Sequence, residues 1–461
     1  MNSKKMKPSS EPDRISTLPH AVLVLIISFL PFKDCIATSI LSERWRYLYL
    51  HTMNVAFKES EFLNGMYSDR AARVSFASYM SEFVSRFEGE IINTFEIHLC
   101  NPVGLVACIQ HLIRFAASKQ VKKLVLDFSD PSWRSTDVAS ELDVAIKLPA
   151  CVYRLKTLES LYIYGCAFDP SRFTNPERLR RLYIGWISLQ KLESLLSKCR
   201  LLKTLSIRYC WDLDIETLAG RIEELVIEYC DFPRMACSFV LPILDIFKYS
   251  GYIMCLDFER VNKMVHDVEF DFGVEPEYDE PDAATKAQGE IVAKLLSDFR
   301  SATIITVCPY TLQVIQDNPE FMLRGVEVEH LVLKTKLHPK ELMVWSLLRD
   351  LSYRGIDPRT HWHQNISYRC LNRTVTTVQL LNFTGGFHQM EVLSYLVKTR
   401  PWRVHVITAV DLCVAKGLRE DQMRVARAGA AMLRRINKQV VVEVHNDCDC
   451  LSVFNGGFRP I

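Results

Sequence analysis

Two pairs of side chains in the sequence could hold a metal ion. His361 and His363 stand two residues apart, as do Cys448 and Cys450 near the end of the chain. A protein zinc site needs three or four such ligands, and neither pair has further histidines or cysteines at a suitable spacing. A polar loop and a flexible tail are therefore the favoured interpretations. The sequence also has no glycine-rich phosphate loop and neither of the catalytic motifs GxSxG and HExxH. We therefore expect no catalytic residues, no metal and no cofactor, and we expect that the protein is not an enzyme.

A run of carboxylates is the next candidate for binding chemistry. Residues 267–282 combine two prolines and a glycine with many acidic side chains, which predicts a loop. From residue 268 onward the acidic members are Glu269, Asp271, Glu275, Glu277, Asp279, Glu280 and Asp282. Such a run could attract a basic partner, but a solvated insertion is the favoured interpretation.

Length and composition narrow the class of protein. The chain has 461 residues, 49% of them apolar, so two or three domains with a large core are expected. Its 56 basic and 54 acidic residues leave a net charge of +2, without the basic excess of a nucleic-acid binder. No run reaches the about 20 apolar residues that cross a membrane. The 15 cysteines indicate reduced thiols, in the cytoplasm, the nucleus or both.

The stretch from 13 to 50 predicts a small helical docking module. Pro19 can begin a helix because proline gives up no hydrogen bond at the first helical position. An apolar face follows at spacings of three and four, made by Val22, Leu23, Ile26, Ile27 and Leu30. A second helix is predicted over 32–40 and a third after Ser42. So few residues cannot cover so apolar a helix alone. A docking module is the favoured interpretation, and an ordinary buried helical hairpin is the alternative.

The same stretch resembles an F-box of the plant type. The matching segments are Asp13–Ser16, Leu18-Pro19, Ser28–Pro31, Lys33-Asp34, Ala37–Ser39, Leu41-Ser42 and Arg44–Arg46. One departure is His20-Ala21, where the family usually has an acidic residue. The resemblance implies docking onto a Skp-type adaptor, and through it a cullin and a RING protein. It assigns the adaptor-facing positions to Leu18, Pro19, Leu23, Ile26, Ile27, Leu30 and Pro31. Trp45 is expected to support the packing of the module itself.

A repeated unit, aliphatic-x-x-Leu-x-aliphatic, begins near residue 90. The anchors Leu161, Leu182, Leu205 and Leu225 are 21, 23 and 20 residues apart, within the range of leucine-rich repeats. Each unit predicts a strand and a return segment that stack into a curved solenoid. The cysteines five residues after an anchor are interpreted as caps of the repeat turn rather than metal ligands: Cys166, Cys210 and Cys230.

The later chain keeps only part of the pattern. Ile246 and Val268 are the next expected anchors, and strands are predicted over 303–308, 328–333 and 375–380. Residues 374–399 resemble the FBD region that follows plant F-box and leucine-rich repeats, and a helix over 420–437 and a strand over 439–445 complete a cap.

The predicted fold is therefore α/β: a small three-helix F-box, an irregular leucine-rich-repeat solenoid and an α+β C-terminal cap. The expected boundaries are a disordered tail 1–12, the F-box 13–53, a linker and helix 54–89, the solenoid 90–385 and the cap 386–461.

Side-chain alternation predicts the face that would bind a target. In each repeat strand the anchor and the residue two positions later point inward, so the residues one and three positions after the anchor face the concave side. Tyrosine and arginine are enriched at binding hot spots, and the candidate patch is Tyr162, Tyr164, Tyr183 and Arg208. The alternative is that these are ordinary solvent-facing strand residues.

Together these features predict the substrate receptor of a Skp–cullin–F-box ubiquitin ligase, with an unknown protein as its substrate. An interaction scaffold that does not promote degradation is the alternative. A small-molecule co-receptor is a third hypothesis, which the absence of a basic cluster on the predicted concave strands disfavours.

Overall fold

The computed structural model describes residues 15, 17–63, 70–100, 102–129, 146–174, 176–261, 265–272, 286–308, 310–311, 314, 330–333, 377–380, 390, 394, 403–408, 416–436 and 441–444. The chain divides into two compact units, Met1–Asp214 and Ile215–Ile461. The predicted tail, both histidine and cysteine pairs, the carboxylates from Glu275 onward and most of the FBD-like region lie outside the described residues.

The first unit opens with two short helices, each preceded by a proline. Helix α1 spans His20–Ser28 and α2 spans Phe32–Ala37, with Pro19 and Pro31 as the flanking residues. Both prolines have extended backbone conformations (ψ 147° and 142°), so neither continues a preceding helix into the next one. Short 3-10 helices follow at Thr38–Ile40 and Leu48–His51.

The predicted third α-helix of this module is not formed. The N–H groups of Trp45 and Leu48 donate to the carbonyls three residues earlier, at 3.1 and 3.2 Å, which is the pattern of 3-10 turns. Trp45 and Leu48 stand three residues apart and both enter the module core, a spacing that suits three residues per turn. That core contains Leu23, Ile27, Cys35, Trp45 and Leu48, so the prediction that Trp45 supports internal packing is confirmed.

Six parallel strands form the main sheet of the first unit, in the order β1-β2-β3-β5-β7-β8. They are β1 (Asn54–Lys58), β2 (Thr94–His98), β3 (Lys123–Asp127), β5 (Ser160–Tyr164), β7 (Arg181–Gly185) and β8 (Thr204–Arg208). A separate short pair joins β4 (Ile146–Lys147) and β6 (Cys166–Ala167). The helical return segments are α3 (Glu59–Leu63), α4 (Arg70–Arg86), α5 (Val106–Ser118) and α6 (Leu192–Leu196).

The anchors lie opposite one another across this sheet. The aligned and buried row runs Val55, Phe95, Leu124, Leu161, Leu182, Leu205. A second buried row stands two residues later in each strand, so the repeat is confirmed. The sheet begins at Asn54, whereas residues 54–89 were expected to be a linker and a helix.

The helical part of that segment does agree with the sequence. Phe76, Met80, Phe83 and Phe87 are all buried, as the spacing along α4 predicts. The repeat-turn cysteines also take structural positions. The thiols of Cys210 and Cys230 donate to the carbonyls two residues earlier, at 3.5 and 3.4 Å.

The described part of the second unit contains eight further parallel strands, in the order β10-β12-β14-β15-β16-β17-β18-β19. They are β10 (Glu224–Glu228), β12 (Ile246–Ser250), β14 (Asp267–Asp271), β15 (Ile304–Val307), β16 (His330–Leu333), β17 (Thr377–Leu380), β18 (Arg403–Thr408) and β19 (Val441–Val444). A three-stranded sheet comprises β9 (Thr217–Ala219), β11 (Ala236–Leu241) and β13 (Cys255–Val261). Among the described residues of this unit, the long helices are α7 (Lys286–Asp298) and α8 (Lys416–Ile436).

Three expectations for this unit need correction. The anchor of β12 is Phe247, which pairs with Leu225 and is fully buried, rather than Ile246. The expected acidic loop begins with strand β14, where acidic residues alternate with the buried Val268 and Phe270. The expected cap continues the parallel sheet, because β18 pairs with β17 and β19 with β18.

None of the helices in the described part of the chain combines the length and the apolar character needed to cross a membrane.

Candidate functional site

A set of large apolar side chains is exposed on the N-terminal module. We call it the apolar face, and its members are Val22, Leu25, Ile26, Phe29, Leu30, Ile40 and Leu41. Phe29 and Ile40 are the most open, with 81% and 85% of their surface accessible. An exposed patch of large apolar side chains on so small a module is typical of a protein interaction site.

The structure divides the predicted adaptor-facing residues into two groups. Ile26, Leu30, Pro19 and Pro31 are exposed and Leu18 is half-buried. Leu23 and Ile27 are fully buried in the module core, so they support the surface from beneath rather than form it. The reason is helical geometry, because residues four apart share one face of α1.

The same geometry explains which surface residues sequence reasoning missed. Leu25 and Phe29 lie four residues apart on the open side of α1, and Ile40 and Leu41 follow α2. The sequence feature that could have identified the exposed residues of α1 is that this helix is apolar nearly all round, although the module has only one small core. Such a helix must leave one apolar side uncovered.

The module is attached to the first repeat by packing. The ring of Phe32 lies edge-on to Phe57 in β1 and Phe83 in α4, with centroids 5.6 and 5.2 Å apart. The backbone N–H of Met53 donates to the Ser28 hydroxyl at 3.1 Å. The side-chain amide of Asn54 donates to the Ser28 backbone carbonyl at 2.6 Å. A surface that docks α1 therefore holds the start of the sheet in a defined position.

The four predicted target-binding residues lie side by side on the face of the sheet opposite the buried anchors. Tyr162 and Tyr183 are cross-strand partners whose rings stack at 4.2 Å with 5° between their planes. Tyr164 lies against Gly185, where an added Cβ would stand 2.6 Å from the tyrosine ring. The Arg208 guanidinium donates to the Ser206 hydroxyl at 3.2 Å. All four predicted side chains remain partly accessible, and we call them the tyrosine surface.

A charged cluster adjoins the tyrosine surface on β2 and β3. His98 lies 3.4 Å from a Glu96 oxygen and 3.5 Å from an Asp127 oxygen. Lys123 pairs with Glu96 at 2.8 Å, and its ammonium lies 5.4 Å from the centre of the Tyr162 ring. The sequence did not reveal this cluster, because it depends on the register between strands.

The cluster shifts the ionisation of its members. Burial opposes the charge on His98, but hydrogen bonds and attraction from Asp127 and Glu96 outweigh it and raise the pKa of His98 to about 9. The hydrogen bond from His98 lowers the pKa of Glu96 to about 2, against the effect of burial and with further help from Lys123. Both groups are therefore charged at neutral pH.

Comparison with known proteins agrees with this architecture. The family model described as F-box domain matches residues 15–48. The model described as FBD-associated F-box protein At5g56370, LRR repeats, matches residues 109–229. The chain is 44% identical to the putative F-box/LRR-repeat protein At1g56400 of Arabidopsis thaliana, over 97% of this chain and all of the relative.

Two further relatives come from the same plant. The putative F-box/LRR-repeat protein At5g54820 is 42% identical over 94% of this chain and 98% of its own. The F-box protein At3g62230 is 34% identical over 92% of this chain and 96% of its own.

A parallel repeat sheet that carries a helical module with an exposed apolar face defines a repeat protein equipped to dock a partner. The chain belongs to the plant F-box/leucine-rich-repeat family, with an F-box and FBD-associated repeats. Its general class is therefore that of the F-box proteins of the Skp–cullin–F-box type. F-box domains generally bind Skp-type adaptors. Proteins of the F-box/leucine-rich-repeat family generally act as non-catalytic adaptor proteins themselves.

Proposed function

We propose that this chain is a substrate-recognition subunit of a Skp–cullin–F-box ubiquitin ligase. The apolar face of the module would dock the Skp-type adaptor, and the repeat sheet would bind a protein target. The observation that carries the proposal is the exposure of the apolar face while Leu23 and Ile27 complete a separate core beneath it. Burial of exposed apolar surface is the main favourable term in protein association.

The contacts between module and first repeat support a receptor role. Phe32 packs between Phe57 and Phe83, so the docking module and the tyrosine surface belong to one compact unit. A ligase receptor needs such a connection, because the target must be held at a defined distance from the transfer machinery. This chain would supply binding and orientation, while the RING protein and its partner enzyme would perform the transfer.

The test is purification of the tagged full chain from plant cells, with and without inhibition of protein degradation. We expect the adaptor, a cullin and a RING protein to accompany the chain. We also expect at least one bound protein to become more abundant when the chain is depleted. Capture of the adaptor without any protein whose abundance changes would favour the non-degradative scaffold instead.

A further inference from the structure

One edge of the first unit's sheet concentrates positive charge. The segments that lead into β3, β5, β7 and β8 are 119–123, 154–159, 176–181 and 198–203. They contain eleven basic and two acidic residues, against 56 and 54 in the whole chain. We call their exposed basic residues the basic edge: Lys122, Arg154, Lys156, Arg178, Arg180, Arg181, Lys198, Arg200 and Lys203.

Backbone hydrogen bonds show that these segments are immediate neighbours. The N–H of Glu159 donates to the Lys122 carbonyl at 2.8 Å, and the N–H of Arg180 donates to the Glu159 carbonyl at 2.9 Å. The N–H of Lys203 donates to the Arg180 carbonyl at 2.8 Å. Neighbouring strands lie about 4.8 Å apart, so Lys122, Arg180 and Lys203 stand in one row across this edge, with Glu159 between Lys122 and Arg180.

The basic edge borders the tyrosine surface directly. Arg181 and Tyr183 stand two residues apart in β7, so their side chains share one face of the sheet. Arg181 also pairs with Ser160 in β5, two residues before Tyr162. A ligand chain could therefore contact arginines and the stacked tyrosines at once.

We propose that the basic edge and the stacked pair Tyr162 and Tyr183 bind an extended acidic segment of a target protein. The arginines would form charge-assisted hydrogen bonds with its carboxylates, and the tyrosines would pack against its side chains. This inference rests on the proposed function, since it names the class of substrate that the same surface would accept.

Two observations favour a short protein segment over a nucleic acid. The four strands from β3 to β8 span only about 15 Å, which matches about five residues of extended peptide. The adjoining cluster balances the carboxylates of Glu96 and Asp127 against His98 and Lys123, so the positive surface ends there and does not continue for a longer phosphate backbone.

The test uses the full chain and fluorescence anisotropy. The probe is a labelled peptide of alternating glutamate and serine, compared with the same peptide carrying glutamine in place of every glutamate. The charge-reversal variant is Arg178→Glu/Arg180→Glu/Arg181→Glu. The matched control reverses three exposed arginines elsewhere, Arg114→Glu/Arg427→Glu/Arg435→Glu. Thermal melting confirms that each variant folds, and capture of a Skp-type adaptor is measured in parallel.

We expect the acidic peptide to bind, the glutamine peptide to bind much more weakly, and added salt to weaken the complex. The charge-reversal variant should lose affinity by about tenfold or more, whereas the control should not. Equal binding by both variants, or no binding by the unmodified chain, would overturn the inference while adaptor capture still supports the proposed function. Tighter binding of a labelled single-stranded DNA, lost in the same variant, would also overturn it.

Discussion

At the scale of single residues, the most distinctive chemistry is the ionisation of the charged cluster beside the tyrosine surface. His98 has a pKa raised to about 9 because two carboxylates face it. A raised histidine pKa stabilises the folded state fully below its unfolded value of about 6.5, and this contribution is lost as pH rises through about 9. Glu96 has its pKa lowered to about 2, so it stabilises the folded state fully at pH values above its unfolded pKa. That stabilisation is lost as pH falls through about 2.

We therefore predict that His98 stays protonated through neutral pH. Its imidazole resonances, followed by NMR in the full chain, should titrate near pH 9, because Asp127 and Glu96 both favour the charged form. In Asp127→Asn the midpoint should fall. Titration of His98 near pH 6.5 in the unmodified chain would contradict the cluster as described.

A second residue-scale prediction concerns Gly185. A Cβ at this position would stand 2.6 Å from the Tyr164 ring and 2.9 Å from the backbone carbonyl of Arg208, so the backbone must shift. We expect Gly185→Ala to lower the free energy of unfolding by about 1–3 kcal/mol, measured by denaturant titration. Gly220→Ala is the control, because its Cβ would meet only ordinary contacts at 3.6 Å or more. Equal stability of both variants would show that Tyr164 is not packed against Gly185.

At the scale of elements, helix α1 separates two roles between adjacent residues. Ile27 is fully buried in the module core, whereas Ile26 keeps 36% of its surface exposed on the apolar face. The two side chains are chemically identical, so they form a matched pair for distinguishing stability from docking.

We expect Ile27→Ala to destabilise the first unit by about 2–5 kcal/mol, because it leaves a cavity. Ile26→Ala should change the free energy of unfolding by less than about 1 kcal/mol and weaken adaptor binding instead. Denaturant titration and a binding assay on both variants test this division. If Ile26→Ala destabilised the fold as much as Ile27→Ala, the apolar face would be part of the core.

The elements also show how far sequence reasoning reaches. Strands with a leucine anchor were predicted with their register, because Leu161, Leu182 and Leu205 sit at regular intervals. Strand β1 was missed because Val55 and Phe57 take the places of leucine and isoleucine. In β12 the anchor was predicted at the aliphatic Ile246, one residue before its true position. The buried anchor is the aromatic Phe247.

The same limit applies to the candidate surfaces. The tyrosine surface followed from alternation within single strands, which the sequence contains. The His98 cluster and the basic edge depend on which strands are neighbours, so they required the pairing of β2 with β3 and β5 with β7. The burial of Leu23 and Ile27 required knowing which side of α1 the small core occupies.

At the scale of the whole molecule, the proposed function requires the apolar face to dock the adaptor in the intact protein. Aspartate at two of its exposed positions would place charges in the interface without disturbing the module core. The variant is Leu25→Asp/Phe29→Asp. Its control, Val74→Asp/Met235→Asp, changes apolar residues that are similarly exposed elsewhere in the chain.

The most direct measurement is the affinity of the purified full chain for a plant Skp-type adaptor, by calorimetry, for the unmodified protein and both variants. We predict binding by the unmodified chain and by the control. A loss of about 30-fold or more is expected for the folded Leu25→Asp/Phe29→Asp variant, as for substitutions at interface hot spots. Equal affinity in all three proteins, or no binding by the unmodified chain, would show that the apolar face does not dock the adaptor.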